Sequence, residues 1–121
     1  MRDFKELQIW QKAIDIFKMM AKDAEKFPKH KIAYSISDQV IRSISSISAN
    51  IAEGYGRGSD KELQRYCIIA RGSIDESRDW IYKVELLGYI NGDRAKEYDL
   101  KFLEIKKMLN VFISKVRQRI K

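Results

Sequence analysis

Few side chains in this sequence have chemistry beyond folding. One histidine, His30, and one cysteine, Cys67, occur in its 121 residues. Structural zinc needs four ligands at set spacing, and a di-iron bundle needs Glu-x-x-His pairs on facing helices. Neither set can be drawn from this composition. Cys67 falls beside a row of core positions, where a buried thiol is ordinarily inert. The run Gly54-Tyr-Gly-Arg-Gly58 resembles a phosphate-binding loop only in its glycines. It lacks the Gly-Lys-Ser/Thr ending and follows a helix pattern instead of a strand. The residues therefore point away from catalysis, and they call for no metal and no cofactor.

What remains is charge. Asn50, Glu53, Arg57, Glu62, Arg65, Arg71 and Glu76 crowd a glycine-rich stretch that begins at Gly54. Two readings stand side by side. One is a charged network that pins a hinge between two helices. The other is phosphate contact by Arg57, Lys61 and Arg65, which group where the next helix begins. The chain carries a net charge of +7, and residues 94–121 hold 9 basic against 3 acidic side chains. Most of the excess thus lies in one segment, where Lys106, Lys107, Lys115, Arg117 and Arg119 are candidate contacts for a polyanion. A merely solvated face is the competing reading. The aromatic residues sit at or beside expected core positions, which leaves no stacking platform for bases. Nucleic-acid binding would then be driven by the phosphate backbone and indifferent to sequence.

Four amphipathic helices must position these groups. Asp3, with Glu6 three residues on, predicts the first N-terminus. Leu7, Trp10, Ile14, Phe17, Ala21 and Ala24 follow as a 3-4 seam, with Ile9, Ala13, Ile16 and Met20 in a second row. Pro28 ends that helix at or before Phe27. A second helix over roughly residues 32–53 carries Ile36, Val40, Ile44, Ile47 and Ile51. Ser37, Ser45, Ser48 and Ala52 beside that stripe would admit another helix closely. Gly54, Gly56 and Gly58 are expected to stop it.

Ser59 and Glu62 form a capping box for a third helix reaching about Leu87. Its expected seam is Leu63, Tyr66, Ala70, Ser73, Ser77, Trp80, Val84 and Leu87, with Cys67, Ile74 and Ile81 flanking. Gly72 implies a close backbone approach at mid-helix. A turn over residues 88–93 with an Asp93 cap leads to a fourth helix, whose seam is Phe102, Ile105, Leu109, Phe112, Val116 and Ile120. The expectation is all-α: one domain over residues 1–121, an antiparallel up-down-up-down four-helix bundle.

A lone cysteine fits a reducing cytoplasm. Arg2, Asp3, Lys5 and Glu6 break up any signal peptide, and the longest uncharged run, between Arg42 and Glu53, is too short to span a membrane. The two apolar rows of helix one and the small-residue face of helix two exceed what a lone bundle must bury. That surplus predicts a homo-oligomer.

Several segments resemble one bacterial family. They are Leu7-Gln-Ile-Trp-Gln-Lys-Ala13, Gln39-Val-Ile-Arg42, Ser48-Ala-Asn-Ile-Ala-Glu-Gly54 with Arg57, and Ala70-Arg-Gly-Ser-Ile-Asp-Glu76. The family is that of four-helix-bundle proteins encoded in intervening sequences of 23S ribosomal RNA genes. It is similar to the accessory variability protein of diversity-generating retroelements. The resemblance implies a homopentameric ring with a central channel, no known catalytic residues and a suspected role with RNA or DNA. It implies a reverse transcriptase partner where the gene accompanies a retroelement. Ser43 stands where the family pattern suggests a small alanine. A protein-interaction scaffold, positively charged only for solubility, is the alternative.

Overall fold

The structure, a computed structural model, describes residues 3–120. A short 3-10 turn at Phe4–Glu6 precedes four helices: α1 (Gln8–Ala24), α2 (Lys31–Gly56), α3 (Asp60–Leu86) and α4 (Gly92–Arg119). Each helix packs on the next, and α4 returns to α1, so the expected all-α four-helix bundle is what forms. Among the described residues there is no strand.

The helix ends show why the chain turns where it does. Asp3 accepts from the Lys5 amide and caps the 3-10 turn; α1 itself begins after Leu7 with no side-chain cap. The single histidine caps α2, its Nδ1 accepting from the Ala33 amide at 3.2 Å. Ser59 caps α3 through the Glu62 amide, as its spacing predicts. At the other end of α3, Gly88 adopts φ +74°, and the Gly88 and Tyr89 amides donate back to the carbonyls of Glu85 and Val84. That pairing is a Schellman closure, which needs a left-handed residue at the glycine. Asn91, not Asp93, caps α4, accepting from the Arg94 amide at 2.8 Å. An asparagine one residue before glycine reaches the orphan amides first.

The core is aliphatic, with Val40, Ile44, Ile47 and Ile51 of α2 facing Ile74 and Val84 of α3 and Phe102, Ile105 and Leu109 of α4. Two seams are rotated from expectation, and in α4 Ile113 takes the buried place expected of Phe112, which is half-buried. In α1 the second row, Ile9, Ala13, Ile16 and Met20, is buried, whereas Trp10, Ile14 and Phe17 are half-buried and Ala21 is exposed. In α3, Cys67, Ile74 and Ile81 are core, while Tyr66, Ser73 and Trp80 lie half-buried on the margin and Leu87 is exposed. Both α3 rows share Leu63, Ala70, Ser77 and Val84, so only the intervening residues decide the register. Tyr66 and Trp80 carry polar groups that favour a wet edge, and their aliphatic neighbours do not.

The glycines divide by position. The helix continues through Gly54 and Gly56, so neither stops it; only Gly58, at φ +81°, has left the helical region. Gly54 is buried where α3 crosses, and a Cβ there would lie 2.7 Å from Tyr66 Cβ. Gly72, whose mid-helix position implies such a crossing, faces open space instead. The close α2–α3 approach is marked by a buried Ser43–Ser77 hydroxyl pair at 2.8 Å, which gives Ser43 its purpose. Gly72→Ala should therefore stabilise the protein by about 1 kcal/mol, the helix-interior difference between the two residues. A thermal melt that fell instead would show hidden crowding at that site.

Candidate nucleic-acid interface

Antiparallel packing brings the start of α3 beside the end of α4, and with them two groups of basic residues that are far apart in sequence. Arg119 Nη2 donates to Asp60 at 2.9 Å, and its hydrogen bond holds the Asp60 carboxyl below the usual carboxylate range. One turn further along α3, the Gln64 carboxamide oxygen, in the orientation its surroundings require, accepts from Arg117 Nε at 2.7 Å. Arg57, Lys61 and Arg65 occupy the α3 side of this end, all exposed.

Each guanidinium here has a local partner. Arg57 reaches Glu53 at 2.9 Å and donates to the Tyr66 hydroxyl at 2.8 Å. Arg65 pairs loosely with Glu62 at 3.4 Å. The guanidinium carbons of Arg57 and Arg65 both lie 5.2 Å from the Tyr66 ring centre, so one half-buried ring orients two cations. Lys61 is exposed and pairs with no carboxylate among the described residues. These are surface pairs, weak enough to exchange for a phosphate.

The remaining candidates on α4 lie on two faces. Lys106 turns toward α3, where its Nζ donates to both oxygens of Asp75, at 3.0 and 2.9 Å. That bond depresses the Asp75 carboxyl against a smaller opposing effect of burial. Lys107 and Lys115 turn the other way, toward the start of α1, and border a groove with Leu7 and Phe112. The expected hinge network is likewise divided. Asn50 donates to the Ser46 carbonyl at 2.8 Å, Arg71 donates to Asn110 of α4 at 3.0 Å, and Glu76 is exposed away from both.

One polar cluster has no forewarning in the sequence. Asp23, near the end of α1, accepts from Arg94 Nε at 2.7 Å, from Arg94 Nη2 at 3.1 Å and from the Tyr98 hydroxyl at 2.6 Å. Burial alone would raise the Asp23 carboxyl, but the Arg94 and Tyr98 hydrogen bonds outweigh it and the net shift is downward. Burial, with Asp23 behind it, drives Tyr98 well above the usual phenol range. Arg94 and Tyr98 are one turn apart on α4, which the sequence displays; their meeting with Asp23 is a product of the fold. The cluster clamps the opposite end of the bundle. Cys67 is buried and its thiol is pushed up to about 11 by burial, so it is protonated at neutral pH. No group of three or more His, Cys, Asp or Glu among the described residues is arranged to hold a metal ion. No helix among them is long and apolar enough to cross a membrane.

Comparison with known proteins adds a family. The model for the 23S rRNA-intervening sequence protein family matches residues 5–111. No curated protein matches the chain. A crystal structure from Bacteroides thetaiotaomicron, of a protein with unknown function from the S23 ribosomal protein family, superposes with a TM-score of 0.80. It shares 22% identity, and the match covers 88% of this chain and 95% of that one. At that identity the likeness speaks for the fold. With the family match spanning most of the helical bundle, the chain belongs to the 23S rRNA-intervening sequence protein family.

Proposed function

We propose that this protein is a non-enzymatic, self-associating helical bundle of the cytoplasm that binds the phosphate backbone of RNA or DNA. The observation that carries the reading is the joining of Arg57, Lys61 and Arg65 with Arg117 and Arg119 at one end of the bundle. Arg57, Arg65 and Arg119 meet carboxylates only in surface pairs, Arg117 meets the Gln64 amide and Lys61 meets no carboxylate among the described residues, so a phosphate can replace these partners. A pentameric ring, suggested by family resemblance, would repeat this patch in every subunit and multiply its attraction for a polyanion. Where the gene accompanies a retroelement, a reverse transcriptase is the protein partner of this proposal.

The exposed apolar side chains favour a second reading, a protein-interaction scaffold. Ile32, Tyr82, Leu86 and Leu100 are each at least 60% exposed, more than a solitary bundle of this size requires. Binding to a labelled duplex and a structured RNA separates the two. Lys61→Gln, Arg65→Gln and Arg117→Gln together should weaken both complexes. They should also flatten the slope of log K against log salt by about 2–3, roughly 0.7–0.9 for each phosphate no longer engaged. Lys106→Gln, whose lysine is tied to Asp75, should change neither. If the triple variant bound like the parent, this end of the bundle would not be the contact surface.

A further inference from the structure

The loosest seam of the bundle runs between α1 and α4. It leaves a groove of 420 Å³ walled by Leu7, Ile9, Met108, Val111 and Phe112, with Lys107 and Lys115 on its rim. Val111 is 51% exposed, and neither lysine meets a carboxylate among the described residues. Beyond Glu104, α4 contains no acidic residue at all. The groove is thus apolar within and purely basic at its edge.

The complementary surface is on the same chain. Residues 75–87 of α3 and its end carry four acidic and two basic side chains, and there Tyr82 and Leu86 project 60% and 67% exposed. Asp79 and Glu85 flank them; among the described residues Asp79 is engaged only by Lys83, in an exposed pair one turn away. The end of α3 packs beside the start of α4, at the far end of the bundle from the groove. One chain cannot bring its two surfaces together. Two chains can.

Resting on the self-association proposed above, we infer that the α1–α4 groove receives the Tyr82–Leu86 face of a second copy of this chain. Tyr82 and Leu86 enter the apolar trough, and Asp79 and Glu85 meet Lys115 and Lys107 at its rim. Aromatic and aliphatic anchors inside a charged border are the usual anatomy of a protein interface. The two surfaces differ, so the contact is head-to-tail. Each subunit offers a groove to one neighbour and a face to the other, and the series either closes into a ring or grows. Lys107 and Lys115 are consumed by assembly. Lys61, Arg65 and Arg117 lie on the α3 side of the bundle and remain available to phosphate.

Charge reversal tests the pairing by light scattering at micromolar concentration. Lys107→Glu with Lys115→Glu destroys the groove rim, and Asp79→Lys with Glu85→Lys destroys the face. All four side chains are exposed, so helicity and melting should hold. Each double variant should associate on the order of 100-fold more weakly and scatter as the 14.2 kDa monomer. Mixed together they should reassemble, since the intact groove of one meets the intact face of the other and the reversed groove meets the reversed face. All four reversals in one chain should restore assembly. Tyr82→Ala and Val111→Ala probe the same contact without altering charge and should weaken it as well. Variants that keep the parental mass, or that stay monomeric when mixed, overturn the pairing while self-association stands. A parent that is itself monomeric overturns self-association and the pairing with it.

Discussion

Phe102→Ala should lower the unfolding free energy by about 3–5 kcal/mol, the usual cost of deleting a buried aromatic ring. Phe102 has no exposed surface and stacks 6.4 Å from Tyr98 between α1 and α3. Trp80→Ala is expected to cost about 1–2 kcal/mol, although its side chain is the larger. Trp80 is half-buried at the edge of α3, with Lys83 Nζ 4.7 Å from its ring. Water and that lysine stem can occupy the space it leaves. Chemical denaturation of both variants checks the α3 register. Equal losses would put Trp80 back in the core.

Gly54→Val should cost about 1–3 kcal/mol, as overpacking does where the surroundings cannot yield. The contact is unforgiving because the nearest atom, 2.7 Å from the new Cβ, is the Cβ of Tyr66, and the next is the Leu63 carbonyl oxygen at 3.3 Å. Neither is the free end of a side chain, so α2 and α3 must separate. That separation would also disturb Tyr66, the ring that orients Arg57 and Arg65. Weakened nucleic-acid binding should therefore accompany the lowered melt. A Gly54→Val protein as stable as the parent would mean that the two helices pack less closely than described.

The helices and most of their ends are legible in the sequence because their signals are local. The Ser59 cap and the isoleucine stripe of α2 lie within a turn or two of what they determine. The rotation of α3 is not, because its alternative seams share every second contact and differ only at Tyr66 or Cys67, Ser73 or Ile74, and Trp80 or Ile81. Side-chain size favours the row with Tyr66 and Trp80; the need of an indole or phenol for a polar edge favours the other. The glycines mislead for a related reason. Gly54 and Gly72 both read as helix breakers or close approaches, and only the position of the neighbouring helix separates them. Charge is the least legible. Lys106 and Lys107 are adjacent in sequence yet face different helices, one held by Asp75 and the other at the rim of a groove. The Asp23–Arg94–Tyr98 cluster joins residues more than 70 positions apart, beyond any spacing rule.

Whether the joined ends of α3 and α4 bind phosphate backbones is tested most directly on the unaltered protein. The measurement is its affinity for duplex DNA and structured RNA across a salt series. Binding should be measurable at low salt and depend little on sequence. Log K against log salt should fall on a straight line whose slope counts the phosphates engaged. Failure to bind either polymer at low salt, or binding that ignored salt, would contradict the proposed function and leave the interaction scaffold as the better description.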